Sequence, residues 1–433
     1  MTEGRIVVGI DIGTSKIASI IARLEDESVN VLGVSEIPSA GIRKGQIVDI
    51  DEAVISINSC LESAERMAGY SASRIVASIG GSHIESQNSR GVVAVSNPHG
   101  EITAADVERV IDAAKAVSLP STREVIHVLP RSFTVDGQEG IKDPIGMTGI
   151  RLEIDTHIIS ASTTALRNLE KTFSEVGVDL DALVFSGYAS SLSVLSDTER
   201  ELGVVLVDIG AGTTDISIYV EGSVAFSSVL PIGARHISND LAIGLRVSLE
   251  SAEKIKLFLS SAPKRQSKVN LEEEVLESKE KQLDEIDLSS IGIKEEISKV
   301  SRKTLIDGII RPRLNEIFTM VGLEIKKSGY LGQIPSGLVI TGGGSKTISA
   351  QEAAKRMLAM PVRVGIPINI KGIIDEIQDG SFSAVVGLAM YGKTLPAKAS
   401  LPFGFSFPKV PGKINFGFKG LSKVIQFIKS FLP

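Results

Sequence analysis

The sequence predicts an α/β protein built from two lobes of like topology, and three observations carry that expectation. A strand–turn–strand–turn–strand unit occurs twice in the chain, each time with Asp-Ile-Gly at its first turn. Segments with helical spacing fill the intervals between strands, an alternation that produces partly parallel sheets. A third glycine turn, Gly342-Gly-Gly-Ser345, follows a later apolar strand. The 433 residues amount to about three domains of ~150 residues, so more than one lobe is expected from length alone.

The first unit begins with Ile6-Val-Val-Gly-Ile10, a short apolar run that reads as a buried strand. It passes through Asp11-Ile-Gly-Thr-Ser15 into a second apolar strand, Ile17 to Ala22. A polar turn at Glu25-Asp26-Glu27 and a third strand, Val29 to Val34, complete it. The order recurs 197 residues later, where Val204 to Val207 leads into Asp208-Ile-Gly-Ala-Gly-Thr-Thr-Asp215. Strands from Ile216 to Val220 and from Val224 to Val229 follow, joined by Glu221-Gly222, a pair suited to a two-residue hairpin. Between the units, Thr103-x-x-Asp106 resembles a helix capping box. Leu166 to Val176 and Ala350 to Met360 have helical spacing.

Composition narrows the function. Hydrophobic residues make up 43% and charged residues 23%, the mix of a chain that buries a core rather than a disordered or fibrous one. The net charge of −6 argues against a nucleic-acid binder. One cysteine, Cys60, permits no intrachain disulfide, and a reducing compartment is expected. Cys60 lies in an apolar helical stretch and reads as core. The five histidines show no ligand spacing with it, so no structural zinc is expected. No apolar run reaches the ~18 residues of a spanning helix. Charge is nevertheless uneven. Residues 393–433 hold seven lysines and no acid, so the chain's −6 and the tail's +7 leave −13 for the body. A basic tail on an acidic body points to an anionic partner for the tail.

The glycine turns carry the chemistry. A tight glycine turn lets backbone N–H groups approach an anion without a Cβ in the way. Thr and Ser hydroxyls add donors, and an aspartate at the strand end can hold Mg²⁺, usually through water. Two such turns facing each other would clamp a nucleotide's phosphates from both sides, and the third turn would let an adenosine lie against backbone.

With these turns in this order, the sequence resembles the actin superfamily, in which they are two phosphate loops and an adenosine loop. Within it, the chain resembles the FtsA family of cell-division proteins over roughly residues 5–392. The most diagnostic residues run from His127-Val-Leu-Pro-Arg-Ser-Phe to Asp143-Pro-Ile-Gly-Met147, then Gly149-Ile-Arg-Leu-Glu153. Gly80-Gly-Ser-His-Ile84, Phe185-Ser-Gly-Tyr-Ala-Ser-Ser191 and Arg200-Glu-Leu-Gly203 agree. The resemblance implies an actin-like two-lobed ATPase fold with an inserted FtsA-type subdomain and a C-terminal amphipathic helix. It implies a first lobe at 1–196 with the insertion at about 84–162. The second lobe would be 197–392, with an FtsZ-docking subdomain at about 235–305. It implies ATP and Mg²⁺ held by Asp11, Gly13, Thr14, Ser15, Lys16, Asp208, Gly210, Gly212, Thr213, Thr214, Gly233, Gly342, Gly343, Gly344 and Ser345, with Asp11 and Asp208 on the metal side. Glu253 and Lys256 match the E-x-x-K helix that holds ribose and adenine, although spacing alone reads them as an exposed helix face. Lys16 neutralises a phosphate in this reading, and Asp215 stabilises the second loop. Many members of the superfamily place Glu or Gln at the start of the interlobe helix to orient the attacking water. Here that position reads Ser186-Gly187, so tight ATP binding with slow or absent hydrolysis is expected.

Residues 264–303 carry 19 charges in 40 positions, and most of these read as a solvated surface. By resemblance this region docks the partly acidic C-terminal peptide of the tubulin-like protein FtsZ, through Lys303 and Arg313. Prolines 396, 402, 408 and 411 mark residues 393–415 as a flexible linker. In 416–433, helical spacing puts Phe418, Leu421, Val424, Ile425, Ile428, Phe431 and Leu432 on one face. Lys419 and Lys423 fall on the other, with Lys429 at the boundary. A basic amphipathic helix of this kind suits the headgroup plane of an anionic membrane. The expected protein is thus a self-polymerising, peripheral protein of the cytoplasmic face of the inner membrane at the division site. Its partners would be FtsZ and other divisome proteins. A small-molecule kinase and a pilus-assembly homologue of the same fold are the alternatives.

Overall fold

The computed structural model describes residues 5–25, 28–97, 99–117, 119–261, 284–288, 291–295, 299–373 and 377–395. Asp26 and Glu27 of the first polar turn, much of the 264–303 segment and the whole 396–433 tail, with its expected linker and membrane helix, lie outside the described residues.

Two sheets of matching design form the body. The first runs Asp179–Phe185, Arg74–Ile79, Ile6–Ile12, Lys16–Leu24, Val29–Pro38, Ile370–Gly372. The second runs Ser223–Leu230, Thr214–Val220, Val204–Ile209, Leu338–Thr341, Val362–Val364. In each, the Asp-Ile-Gly strand pairs antiparallel with the strand that follows it and parallel with a later one. Strands covered on both faces need near-continuous apolar runs, and Val204-Val-Leu-Val207 is buried throughout. The Glu221-Gly222 turn has φ of 54° and 83°, the two left-handed residues that a tightly twisted hairpin requires. The third strand runs on to Pro38, beyond the expected Val34, because Lys16 pairs with Pro38 at the far end of the ladder.

The two lobes do not divide the chain at residue 196. Ile370–Gly372 adds a parallel strand to the edge of the first sheet, on Val29–Val31. Helix Ser383–Tyr391 buries Val385, Val386 and Ala389 against Ala18, Ile20 and Ala22 of that sheet. The expected second lobe, 197–392, therefore gives its last residues to the first. The physical reason is that helix Ile50–Ala68 covers only the Ile17 and Ile21 face of Lys16–Leu24, and the face with Ala18, Ile20 and Ala22 needs its own apolar cover.

Residues Glu85–Ala94, Arg123–Val135, Gln138–Ile141 and Arg151–Ser162 form a separate four-stranded sheet. Helix Ala104–Lys115 packs on it, capped by Thr103 and Asp106, each side chain accepting from the other residue's backbone N–H. This subdomain is latched to the second lobe. His157 Nδ1–H donates to Asn88 Oδ1 at 2.7 Å, and Nε2 accepts from Ser227 Oγ at 3.0 Å. Ser86 Oγ donates to the Ser227 carbonyl at 2.6 Å. Both ring nitrogens are satisfied in the neutral form, and burial, with nearby Arg131, holds His157 down at about 3. Cys60 is fully buried in the first-lobe core, with its thiol 3.3 Å from Ser19 Oγ.

Candidate functional site

The two Asp-Ile-Gly turns face each other across a cleft of about 1140 Å³. The first turn is a hairpin in which a Cβ on Gly13 would sit 2.5 Å from the Lys16 carbonyl. Thr14, Ser15 and Lys16 line the cleft beyond it. Opposite stand Gly210, Thr213 and Asp208. The turns nearly touch, since a Cβ on Gly212 would lie 2.9 Å from Thr14 Oγ1. Glycine there sets how closely the lobes approach.

Charge is concentrated at the cleft floor. Burial pushes Asp208 up to about 7, reinforced by Asp11 and offset by the Ser190 hydroxyl, which donates to Asp208 Oδ2. Burial also raises Asp11, against the Ser78 hydroxyl and Lys16. Asp215 rises to about 8 through burial, then Asp208. The ammonium group of the first loop is already engaged. Lys16 Nζ lies 2.6 Å from Glu36 Oε2, 3.1 Å from Ser381 Oγ and 4.0 Å from the Phe382 ring centroid. Burial raises all three carboxylates, and among the described residues no group of three or more His, Cys, Asp or Glu side chains is arranged to hold a metal ion directly.

Gly343 and Gly344 line the opposite wall with Glu253 and Lys256. Lys256 Nζ pairs with Glu253 Oε2 at 2.8 Å and donates to Ser238 Oγ at 3.0 Å. Lys256 is buried, so the pair is no exposed helix face.

Five residues expected at the site do not line the cleft. Thr214 is fully buried, and its hydroxyl donates to the Ile232 carbonyl at 2.8 Å. Ser345 Oγ turns back to the Gly342 carbonyl at 2.7 Å. Gly212, Gly233 and Gly342 act by what they lack. A Cβ on Gly233 would meet the Gly210 carbonyl at 2.5 Å, and one on Gly342, at φ 81°, would meet Asp208 Oδ1 at 2.1 Å. These five build the loops that others present.

The expected peptide-docking pair is only half free. Lys303 is exposed, in the short helix Arg302–Leu305. Arg313 makes a bidentate pair with Asp240, at 2.6 and 2.8 Å, and also meets Glu316. Its charge is compensated internally.

Sequence reasoning missed Asp215 as a cleft residue. Its Oδ2 accepts from Ser186 Oγ at the start of helix Ser186–Val194, and its Oδ1 has no partner. The repeat contained a signal. Offset by 197 residues, Asp215 falls on Ala18, a buried methyl in the first lobe.

Comparison with known proteins identifies the relatives of this fold. The family described as "SHS2 domain inserted in FTSA" matches residues 81–160, and "Cell division protein FtsA" matches residues 205–387. A Pseudomonas aeruginosa cell division protein FtsA is 38% identical over 90% of both chains. That of Borreliella burgdorferi is 39% identical over 89% of this chain and 90% of its own. That of Escherichia coli K12 is 34% identical over 90% and 91%. Among solved structures, the PilM-PilN type IV pilus biogenesis complex matches with a TM-score of 0.61 at 14% identity, over 89% of this chain and 98% of that one. MreB5 of Spiroplasma citri bound to ADP matches at 0.51 and 12%, over 90% and 97%. These distant likenesses establish the actin-like fold.

Proposed function

The chain belongs to the FtsA family of cell-division proteins, and from that premise we propose that it is an ATP-switched, membrane-bound tether for FtsZ filaments. The observation that carries this reading is the convergence of two Asp-Ile-Gly turns and a glycine-rich third turn on one cleft. Backbone N–H groups and the Thr14, Ser15 and Thr213 hydroxyls receive the phosphates. Gly343 and Gly344 receive the adenosine, with Glu253 and Lys256 beside the ribose. Asp11 and Asp208 would hold Mg²⁺ through its water shell, and the ion would supply positive charge beside the phosphates. Lys16 moves from Glu36 towards phosphate, or bridges the two.

ATP bound this way touches both lobes and fixes the angle between them, and so selects the protomer shape that fits a polymer. Residues 84–162 form the inserted subdomain, and 235–305, with Lys303 and the surface around Arg313, meets the acidic FtsZ peptide. The 393–415 linker carries the 416–433 helix to the inner face of the membrane. One such helix binds reversibly, whereas many on one polymer bind firmly because each later contact is intramolecular. Among the described residues no helix is long and apolar enough to cross a membrane.

The test is recruitment of FtsZ to liposomes containing anionic lipid, with ATP and Mg²⁺ present. The wild-type chain brings FtsZ down with the liposomes. Ile428→Glu, in the middle of the apolar face, loses membrane binding by about tenfold or more, for which ~1.4 kcal/mol suffices. Ser430→Glu, on the polar face, loses much less. Equal sedimentation of all three chains would remove the tail as anchor, and FtsZ left in solution beside membrane-bound protein would remove the tether.

A further inference from the structure

Five basic side chains among the described residues line the cleft: Lys16, Arg235, Lys254, Lys256 and Lys346. Four of them are neutralised by a carboxylate. Lys16 meets Glu36 at 2.6 Å, Lys254 meets Glu250 at 3.0 Å, Lys256 meets Glu253 at 2.8 Å, and Lys346 pairs with Asp379. Arg235 is exposed, and its guanidinium has no partner among the described residues. The acids of its wall are taken, Glu250 by Lys254 and Lys294, and Glu253 by Lys256 and Ser238.

The backbone fixes where this free cation stands. The Ala234 N–H donates to the Gly210 carbonyl and the Arg235 N–H to the Ala211 carbonyl, each at 2.9 Å, so Arg235 is pinned to the second loop. It opens helix Arg235–Leu245, whose first turn holds no acid. A cation at a helix N-terminus opposes the helix dipole, so for the helix alone Arg235 is misplaced. One turn on, Ser238 joins Glu253 and Lys256. Arg235 therefore lies between the loop that receives phosphate and the pair beside the ribose.

We infer that Arg235 is the phosphate-binding cation of the second lobe, and that its guanidinium takes the α- and β-phosphates of the bound nucleotide. The inference rests on the reading that the cleft holds ATP. The α-phosphate is the one joined to the ribose, which is why the contact falls at that end of the chain. A planar guanidinium fork matches two phosphate oxygens at once, and such charged hydrogen bonds are about twice as strong as neutral ones. Lys16 would then serve from one lobe and Arg235 from the other. ATP and ADP share the Arg235 contact, adenosine lacks it, and it needs no metal.

The experiment measures equilibrium binding of ATP, ADP and adenosine to the full chain, with Mg²⁺ and with a chelator. Arg235→Gln should weaken ATP and ADP by a similar factor, about tenfold, in both conditions, and leave adenosine within about twofold. Arg235→Lys should recover part of the loss, because it restores the charge without the fork. Added salt should weaken the wild-type chain more than Arg235→Gln. Unchanged ATP and ADP affinity in Arg235→Gln overturns the inference. So does a loss confined to ATP, which would put the contact on the terminal phosphate, or an equal loss of adenosine, which would make Arg235 a support of the pocket wall. A wild-type chain that binds neither ATP nor ADP overturns the functional reading itself, and this inference with it.

Discussion

The two phosphate loops share a backbone and differ in charge. Offset by 197 residues, Asp11-Ile-Gly and Asp208-Ile-Gly coincide, and each aspartate sits at the same rung of its ladder. After the glycine they diverge. Thr14, Ser15 and Lys16 fall on Ala211, Gly212 and Thr213, and Ala18 falls on Asp215. The first loop brings the ammonium group and the larger side chains. The second brings glycine, which lets Thr14 approach, and a second carboxylate. In the proposed reading the duplicated scaffold receives one nucleotide, the first loop adds an ammonium group, and each loop adds one aspartate on the metal side.

The largest effect expected from this division is on the metal. Asp208→Ala or Asp11→Ala should weaken ATP·Mg²⁺ binding by about tenfold or more and leave metal-free ATP binding nearly unchanged, since each removes a carboxylate on the Mg²⁺ side. Equilibrium binding with Mg²⁺ and with a chelator separates the two. Losses of the same size in both conditions would dissolve the metal role.

A smaller effect tests the cation that only the first loop carries. Lys16→Met should lower ATP affinity severalfold, and added salt should weaken binding to the wild-type chain more than to the variant. Glu36→Gln should act in the opposite sense, because Glu36 holds Lys16 at 2.6 Å and competes with phosphate for it. Tighter binding by Lys16→Met would mean that Lys16 serves the fold rather than the ligand.

The smallest effect is on stability against pH and belongs to the second loop. Asp215 stands at about 8 in the folded chain, through burial and Asp208, against an ordinary 3.8. The folded state therefore keeps a proton that the unfolded chain has lost. That stabilisation is complete below 3.8 and disappears as pH rises through about 8. The nucleotide-free protein should melt a few degrees lower at the upper end of this range than at pH 6 (roughly, for a chain of this size). Asp215→Asn should flatten the decline. A melting temperature that rises over the same interval would contradict the burial of these groups.

Much of this was legible in the sequence because it is local. The repeat, the hairpin at Glu221-Gly222 and the Thr103 cap each depend on residues within a few positions of one another. What was hidden depends on distant contacts. Nothing near residue 370 indicates that Ile370–Gly372 will pair with Val29–Val31. Nothing near Arg313 shows that Asp240 will occupy its guanidinium. Thr214 looked like a loop hydroxyl, yet its carbonyl partner, Ile232, comes from beyond the next strand. Asp215 was visible as a residue of the second loop, but its bond from Ser186, which arrives from the other lobe's helix, was not.

The proposed function requires that one nucleotide be clamped by both loops at once. Hydrogen exchange with and without ATP·Mg²⁺, followed on peptides covering residues 6–24 and 204–220, tests it most directly. A nucleotide held by both loops should slow exchange in both peptides, with half-effect at the same ATP concentration. Slowed exchange in one peptide alone, or in neither at saturating ATP, would contradict it.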